Sequence, residues 1–406
     1  MAEIVQYQIH RKRISPFIVF LILYCLLASA YASMTIGYNP WLEFASAIVC
    51  FFYFSNRKAL RFTSSRIIAS IFLVLGSMYM IHGGSVAGHI SMIMNVSLAV
   101  VLINLKEKWR VELFSIVSKW FSILLVLSIL TWLIHFIIPL PHITIVEEAF
   151  FNVKGLVVNN YFFFKESMFF EAGADSMQRF QGMFLEPGHL GTIVVFFLIC
   201  NRFDFKRKEC WVFLFSVLLS LSASAYTLLA IGYLFYKASD FNILKVLGTV
   251  LFSVFLIVFF VYYNGGDNVV DNMIFTKLIR EEGAIQGRVN HSILVMFNNM
   301  WSSGQDLFFG KGWEIKGEGS AGFIYFFVCN GILGCLLCFL AYYCIYFSCK
   351  SKYGFYVLIM YIISFLQRAY PYWDAFTFPF ILGLPFFVKD SLFAKKNKNS
   401  TNNRSN

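Results

Sequence analysis

The chain has 406 residues, of which 59% are hydrophobic and 14% are charged. Soluble domains average roughly 45–50% apolar and about 25% charged residues, so a soluble enzyme and a disordered chain are excluded. The net charge of +11 does not indicate a nucleic-acid binder, because in so apolar a chain basic residues first report which side of a membrane a loop occupies.

A helix that crosses a bilayer needs about 20 mostly apolar residues, and about twelve segments meet that requirement. They lie at about 16–37, 39–55, 65–82, 86–105, 113–138, 186–201, 210–222, 224–238, 243–263, 320–347, 353–368 and 375–388. The stretch 210–238 is too long for one span and slightly short for two, and small polar residues at 220–224 favour a turn there. The first segment is longer than a signal-peptide core, so it is interpreted as a retained helix.

Basic residues set the predicted orientation. Every loop on the same side of the membrane as the N-terminus carries Lys or Arg, for example Arg57, Lys106, Arg207 and Lys350. The positive-inside rule then places both termini in the cytoplasm of a multi-pass membrane protein. The polar tail 390–406 is predicted to be disordered and cytoplasmic.

Two long outer loops, about 139–185 and 264–319, are the candidate functional regions, since connections of this length usually carry function. Together with the spans they form one transmembrane domain over 1–406. The first loop is rich in phenylalanine, as at Tyr161–Phe164. It is interpreted either as a surface helix packed on the bundle or as a lid or groove for a lipid-linked substrate.

The first loop ends in a dense group of ionisable residues. Arg179, Glu186 and His189 fall within eleven residues at the outer mouth of the sixth span. Ionisable groups at a membrane edge are costly unless they are paired or used. Two readings stay open: an Arg179–Glu186 ion pair that only holds the loop end, or a site whose helix N-terminus faces a bound anion.

The second loop contains Arg280, Arg288, His291 and Lys311. Apolar residues at helical spacing from 289 to 300 predict a short helix across the bundle mouth, with Arg288 and His291 one turn apart. A solvated helix face is the alternative. No spacing typical of a metal site, a nucleotide-binding loop or a serine hydrolase occurs, so neither a metal nor a cofactor is predicted.

The chain resembles the bacterial Wzy-type polysaccharide polymerases, which share a superfamily with the O-antigen ligases. The stretch Arg179–Pro187 is similar to their R-x-x-G-x-F-x-E-P motif, which closes the first large loop. Gly287-Arg288 with Phe308–Gly312 is similar to their G-R and f-G-x-G segments, and Gly331–Gly334 to their G-x-x-G. Ser320 and Ala321 stand where ligases carry a His-Asn type pair, which favours a polymerase.

This resemblance implies an all-α, GT-C-like membrane bundle of about 12 helices with two large periplasmic loops. It implies a glycosyltransferase that joins undecaprenyl-diphosphate-linked repeat units into O-antigen or a related glycan, alongside a flippase and a chain-length regulator. An O-antigen ligase and a lipid-linked oligosaccharide flippase are the alternatives.

The site residues follow from what that chemistry requires. Arg179 and Arg288 are predicted to neutralise the departing diphosphate, with Arg280 in reserve, because the arginine fork matches phosphate oxygens. Glu186 is predicted as the general base, because burial at the span mouth would raise the pKa of a carboxylate. His291 and His189 are the alternative bases. His189 and Lys311 are also predicted to bind substrate, and the reaction is predicted to be metal-independent.

Overall fold

The computed structural model describes residues 14–32, 39–146, 156–169, 179–238, 291–312, 322–349 and 352–385. These residues form a mostly helical protein with one small sheet. The first six helices are α1 (Pro16–Ser29), α2 (Pro40–Asn56), α3 (Ser64–Tyr79), α4 (Val86–Asn95), α5 (Ser97–Ile103) and α6 (Glu107–His135). The later helices are α7 (Pro187–Cys200), α8 (Lys208–Leu219), α9 (Ala223–Ala238), α10 (His291–Met300), α11 (Gly304–Phe309), α12 (Phe323–Phe347), α13 (Lys352–Gln367) and α14 (Asp374–Pro385).

Long apolar helices make this a membrane-embedded protein. Three stretches are long and apolar enough to cross a bilayer: Val86–Ile103, which comprises α4 and α5, then α6, then α12. Several other helices are equally apolar but shorter, among them α1, α3, α7 and α14. The helical, membrane-embedded class is therefore confirmed, while the count of about twelve spans stays a prediction. The ninth predicted span, 243–263, lies outside the described residues.

Local sequence signals fix several helix starts. Pro occupies the first turn of α1, α2 and α7, where its missing N–H costs nothing. The Asn39 side chain accepts a hydrogen bond from the Trp41 N–H at the start of α2, and Ser85 caps α4 through the Gly88 N–H. The predicted break near 220–224 is confirmed, because α8 ends at Leu219 and α9 begins at Ala223.

Helix α7 lies at the centre of the bundle. Every residue from Gly188 to Cys200 is buried, and α7 contacts α8, α9 and α13. Its phenylalanines pack against aromatic rings of neighbouring helices: the ring centroid of Phe197 lies 5.6 Å from that of Phe114 and 5.4 Å from that of Phe213. A helix that is apolar on all sides belongs in a core of this kind.

The described part of the first outer loop forms an antiparallel sheet, with strand order β1 (Ile143–Val146), β2 (Leu156–Asn160) and β3 (Lys165–Phe169). Asn160 pairs with Ile143 on one side and with Lys165 on the other. The surface-helix interpretation is therefore wrong for 156–169. The reason is a tight turn at residues 161–164, in which Phe162 has a φ of 72°; this folds β3 back onto β2.

The bundle has two distinguishable ends. At the C-terminal end of α6, the ring centroids of Trp132 and Phe180 are 5.2 Å apart and those of His135 and Tyr161 are 4.5 Å apart. Because Phe180 shortly precedes α7, α7 starts at this end of the bundle. We call this the sheet end. At the other end, the backbone N–H of Lys106 donates to the Ala59 carbonyl, next to the start of α6. We call this the far end.

Candidate functional site

An ion pair between Glu186 and Arg368 forms the centre of the candidate site at the sheet end. The Arg368 Nη1 lies 2.6 Å from the Glu186 Oε2, and each side chain is 16% exposed. The two residues come from different elements: Glu186 precedes α7, and Arg368 directly follows α13. A charge-assisted bond of this length is among the stronger side-chain interactions in proteins.

The start of α7 positions both partners. Glu186 is the N-cap residue, with extended backbone angles, and Pro187 opens the first turn. Gly188 then leaves room for the guanidinium group, since a Cβ at this position would lie 2.9 Å from the Arg368 Cζ and even closer to its Nη2. The bare backbone at Gly188 therefore allows Arg368 to lie against the helix N-terminus.

Arg179 completes a group of two cations and one carboxylate. Phe180 and Phe184 are fully buried and anchor the segment, and Gly182 supplies the positive φ of 56° that its turn requires. Burial lowers the pKa of Arg179; the nearby Glu186 opposes this shift, and Arg368 adds to it by repulsion. The charge of Arg179 therefore interacts with both members of the ion pair, attractively with Glu186 and repulsively with Arg368.

Aromatic residues support the ion pair from the side of α14. Burial lowers the pKa of Arg368, but the Glu186 carboxylate and Tyr370 more than offset this, and the net pKa is raised. Tyr370 stacks on Trp373 with ring centroids 4.1 Å apart. Burial raises the pKa of the Tyr370 hydroxyl, so it stays protonated and neutral.

His189 lies behind this aromatic pair and not at the mouth. Its ring is fully buried and meets Tyr370 and Trp373 edge-on, at 5.6 and 5.4 Å. Direct contact between His189 and a substrate would require one of these rings to move. In this structure His189 supports the site by packing.

An apolar groove runs along α1 and α6 towards the sheet end. Its volume is about 410 Å³, and it is lined by Phe20, Leu23, Tyr24, Leu27, Trp120, Ile123, Leu124 and Phe162. Phe162 is at the tip of the β2–β3 turn. Beyond the groove, Tyr31 lies 6.0 Å from Trp373, and its carbonyl accepts a hydrogen bond from Lys165. A chain of contacts therefore links the groove to the Glu186–Arg368 pair.

The two glycine motifs of the C-terminal half are in direct contact. The Lys311 backbone N–H donates a hydrogen bond to the Val328 carbonyl, with the two atoms 2.9 Å apart. Three residues later, Gly331 has a φ of 59° and kinks α12. A Cβ on Gly331 would lie 2.5 Å from the Gly310 nitrogen and 2.6 Å from the Phe308 carbonyl oxygen. Glycine therefore permits the turn after α11 to dock into the kink.

The remaining predicted residues lie elsewhere. His291 is the first residue of α10 and is exposed, and α10 packs on α12 through Ile293 and Val328. Lys311 lies 2.7 Å from the Asp306 carboxylate. Arg280 and Arg288 lie outside the described residues, as does most of the segment 264–319.

The structure brings Arg179 and Glu186 together at the start of α7 and adds Arg368, which sequence reasoning missed, whereas His189 is set back behind the Tyr370–Trp373 pair. The ion pair that the structure records at the loop end joins Glu186 to Arg368, whereas the prediction paired Glu186 with Arg179. This also changes the environment expected for Glu186, because an arginine in contact favours the charged carboxylate, opposite to the effect of burial alone. A signal was present: Arg368 is a lone arginine at the outer end of the predicted span 353–368.

No protein-family model, curated protein or solved structure matches this chain. Among the described residues, no group of three or more His, Cys, Asp or Glu side chains is arranged to hold a metal ion.

Proposed function

We propose that the protein is a membrane-embedded glycosyltransferase that polymerises undecaprenyl-diphosphate-linked oligosaccharide repeat units. The observation that carries the proposal is the group of Arg179, Glu186 and Arg368 at the mouth of α7, to which contacts through Tyr31 and Trp373 link the groove along α1 and α6. Two arginine forks match the oxygens of a diphosphate, and an apolar groove suits its prenyl chain.

The reaction divides between charge neutralisation and proton transfer. An acceptor hydroxyl oxygen attacks the anomeric carbon of the donor glycan, the bond from that carbon to the phosphate oxygen breaks, and undecaprenyl diphosphate leaves. Negative charge grows on the leaving group, and Arg179 and Arg368 are placed to stabilise it. The hydroxyl proton passes to a base, for which Glu186 is the proposed group.

The resting ion pair gives substrate a means to prepare this base. A diphosphate that binds Arg368 competes with Glu186 for the same guanidinium group. As Arg368 turns to the diphosphate, the Glu186 carboxylate loses its partner at 2.6 Å and becomes available to accept a proton. Arg288 and Arg280 of the second loop are proposed as further diphosphate contacts, and Lys311 and His291 as contacts to the sugar.

The proposed setting is the periplasmic face of a bacterial inner membrane, with the sheet end outside and both termini in the cytoplasm. Donor and acceptor are both lipid-linked glycans, and a flippase and a chain-length regulator are the proposed partners. The product is O-antigen or a related surface polysaccharide.

The test is the glycan profile of a deletion strain complemented with variants. We expect Arg368→Lys, Arg179→Lys and Glu186→Gln to leave lipid A core with single repeat units, because loss of one such electrostatic contact costs about 10²–10³ in rate. The matched control is Arg57→Lys at the far end, where the arginine lies over the Tyr53 ring. Long chains from all three site variants at normal protein levels would refute the proposal.

A flippase is the second candidate, and one observation favours it. Glu43 and Asp374 are buried carboxyl groups that interact electrostatically inside the bundle, and such pairs occur in transporters. The same gel separates the three functions. Loss of a flippase leaves no attached repeat unit, whereas loss of a ligase leaves polymer on its lipid carrier.

A further inference from the structure

The far end of the bundle contains a buried arginine, Arg110, in the first turn of α6. Arg110 is 0% exposed, and within the part of the chain that the structure describes its Nε, Nη1 and Nη2 atoms have no hydrogen-bond partner. A buried guanidinium group has five N–H donors, and leaving such a charge uncompensated is strongly unfavourable. Arg110 has no role in the site at the sheet end.

A second buried arginine lies next to it. Arg66 is 2% exposed; its Nη1 donates to the Leu105 carbonyl at 3.0 Å, and its Nη2 lies 3.5 Å from the Glu107 carboxylate. The charges of Arg66 and Arg110 repel each other. Glu107 offsets little of this, because its side chain is 58% exposed and water screens it.

The backbone adds positive charge at the same place. Arg110 is three residues after Glu107, the first residue of α6, so it lies about 4.5 Å along the axis from the helix start. The N-terminus of a helix of 29 residues carries a partial positive charge that attracts anions. Both buried guanidinium groups therefore lie near the N-terminus of α6, Arg66 through its contact with Glu107 and Arg110 within the first turn.

We propose that Arg110 and Arg66 form a binding site for a phosphate-type oxyanion at the far end. The planar fork of Arg110 matches two phosphate oxygens, and such pairs are preferred over lysine contacts for this reason. The phosphate belongs either to a phospholipid headgroup at that membrane face or to a free anion in solution. This site is independent of the proposed glycan chemistry, and its test requires no glycosyl transfer.

The first arm uses inorganic phosphate. The full chain, purified in the phosphate-free detergent dodecyl maltoside, is unfolded by heat in phosphate and in chloride at equal ionic strength. We expect phosphate to raise the Tm of the wild type and of Lys108→Gln, an exposed charge on the same turn. For Arg110→Gln, the apparent Kd for phosphate should rise at least about tenfold, the effect of losing one charge-assisted contact.

The second arm distinguishes the source of the phosphate. Phosphatidylglycerol is added to the same micelles and compared with a galactosyl diacylglycerol, which has no phosphate. If a headgroup is the ligand, phosphatidylglycerol raises the Tm at a far lower concentration than inorganic phosphate does, and only where Arg110 is present. If a free anion is the ligand, inorganic phosphate alone is effective.

Two results would refute the proposed site. The first is a wild-type Tm that responds equally to phosphate, phosphatidylglycerol and their controls. This result needs only the wild-type protein, so it remains decisive even if Arg110→Gln fails to fold. The other is an Arg110→Gln variant that responds to phosphate as the wild type does. Arg110→Lys keeps the charge without the fork, so its phosphate response should fall between those of wild type and Arg110→Gln.

Discussion

Substituting Gly188 by alanine tests the geometry of the candidate site most directly. The added Cβ would lie 2.9 Å from the Arg368 Cζ and closer still to Nη2. Carbon and nitrogen atoms prefer separations near 3.5 Å, so the guanidinium group has to retreat by about 1 Å. Since Arg368 is held by Glu186, this retreat lengthens the ion pair without deleting either charge.

The size of the effect follows from the measured separation. At 2.6 Å and an effective dielectric constant of about 20, the attraction is about 6 kcal/mol, and an extra ~1 Å removes about 2 kcal/mol of it. Alanine returns at most about 1 kcal/mol through its higher helix propensity. We therefore expect Gly188→Ala to lower the free energy of unfolding by about 1 kcal/mol and to shorten the glycan chains.

Thermal unfolding in detergent measures the first quantity, and a glycan gel of complemented cells shows the second. Gly304→Ala is the matched control, because nothing lies within 4 Å of a Cβ at that helix start. The decisive comparison introduces Gly188→Ala into an Arg368→Ala background, where no guanidinium remains to be displaced. There the substitution should be neutral or slightly stabilising. Equal effects in both backgrounds would refute the contact, because independent sites behave additively.

Substitutions at three further positions test other contacts by unfolding measurements. Gly331→Ala should lose about 2–4 kcal/mol, since its φ of 59° and its contact with backbone atoms both exclude a side chain; normal stability would contradict the docked turn. Lys311→Gln should cost under about 1 kcal/mol, because Lys311 and Asp306 are about a third exposed, so any large loss of polymer would report substrate contact. Glu43→Gln should be tolerated within about 1 kcal/mol, whereas Glu43→Leu should cost about 1–3 kcal/mol by replacing the polar neighbour of the buried Asp374 carboxyl with an apolar group; equal costs would contradict the pairing of the two carboxyl groups.

Hydropathy predicted where helices lie but not how long they are. The segment 16–37 contains α1 only to Ser29, and the segment 86–105 is divided at Val96 into α4 and α5. Apolar composition reports that a segment avoids water, whereas the end of a helix depends on local backbone angles. The sheet in the first loop was missed because a Phe-rich outer segment was interpreted only by its apolar surface.

The sequence predicted two of the three charged residues of the site, Arg179 and Glu186, but not Arg368. Arg179 and Glu186 are close in sequence and flank a proline that starts a helix, so their proximity follows from local pattern. Arg368 is 182 residues away from Glu186, and no local pattern reports a pairing over that distance. The docking of the turn at Gly310 into the kink at Gly331 was missed for a similar reason: both glycine motifs were visible, but their contact depends on the fold.

The central position of α7 has a consequence for the timing of assembly. With 14 residues, α7 is about 21 Å long, shorter than the roughly 30 Å hydrocarbon layer, so it depends on protein neighbours and not on lipid. One neighbour is α14: the Cys200 thiol of α7 donates a hydrogen bond to the carbonyl of Pro379 in α14. Pro379 is synthesised 179 residues after Cys200. At about 5–20 residues per second, α7 waits about 10–40 s after synthesis before that neighbour exists. The centre of this bundle is therefore among the last parts of the protein to be enclosed.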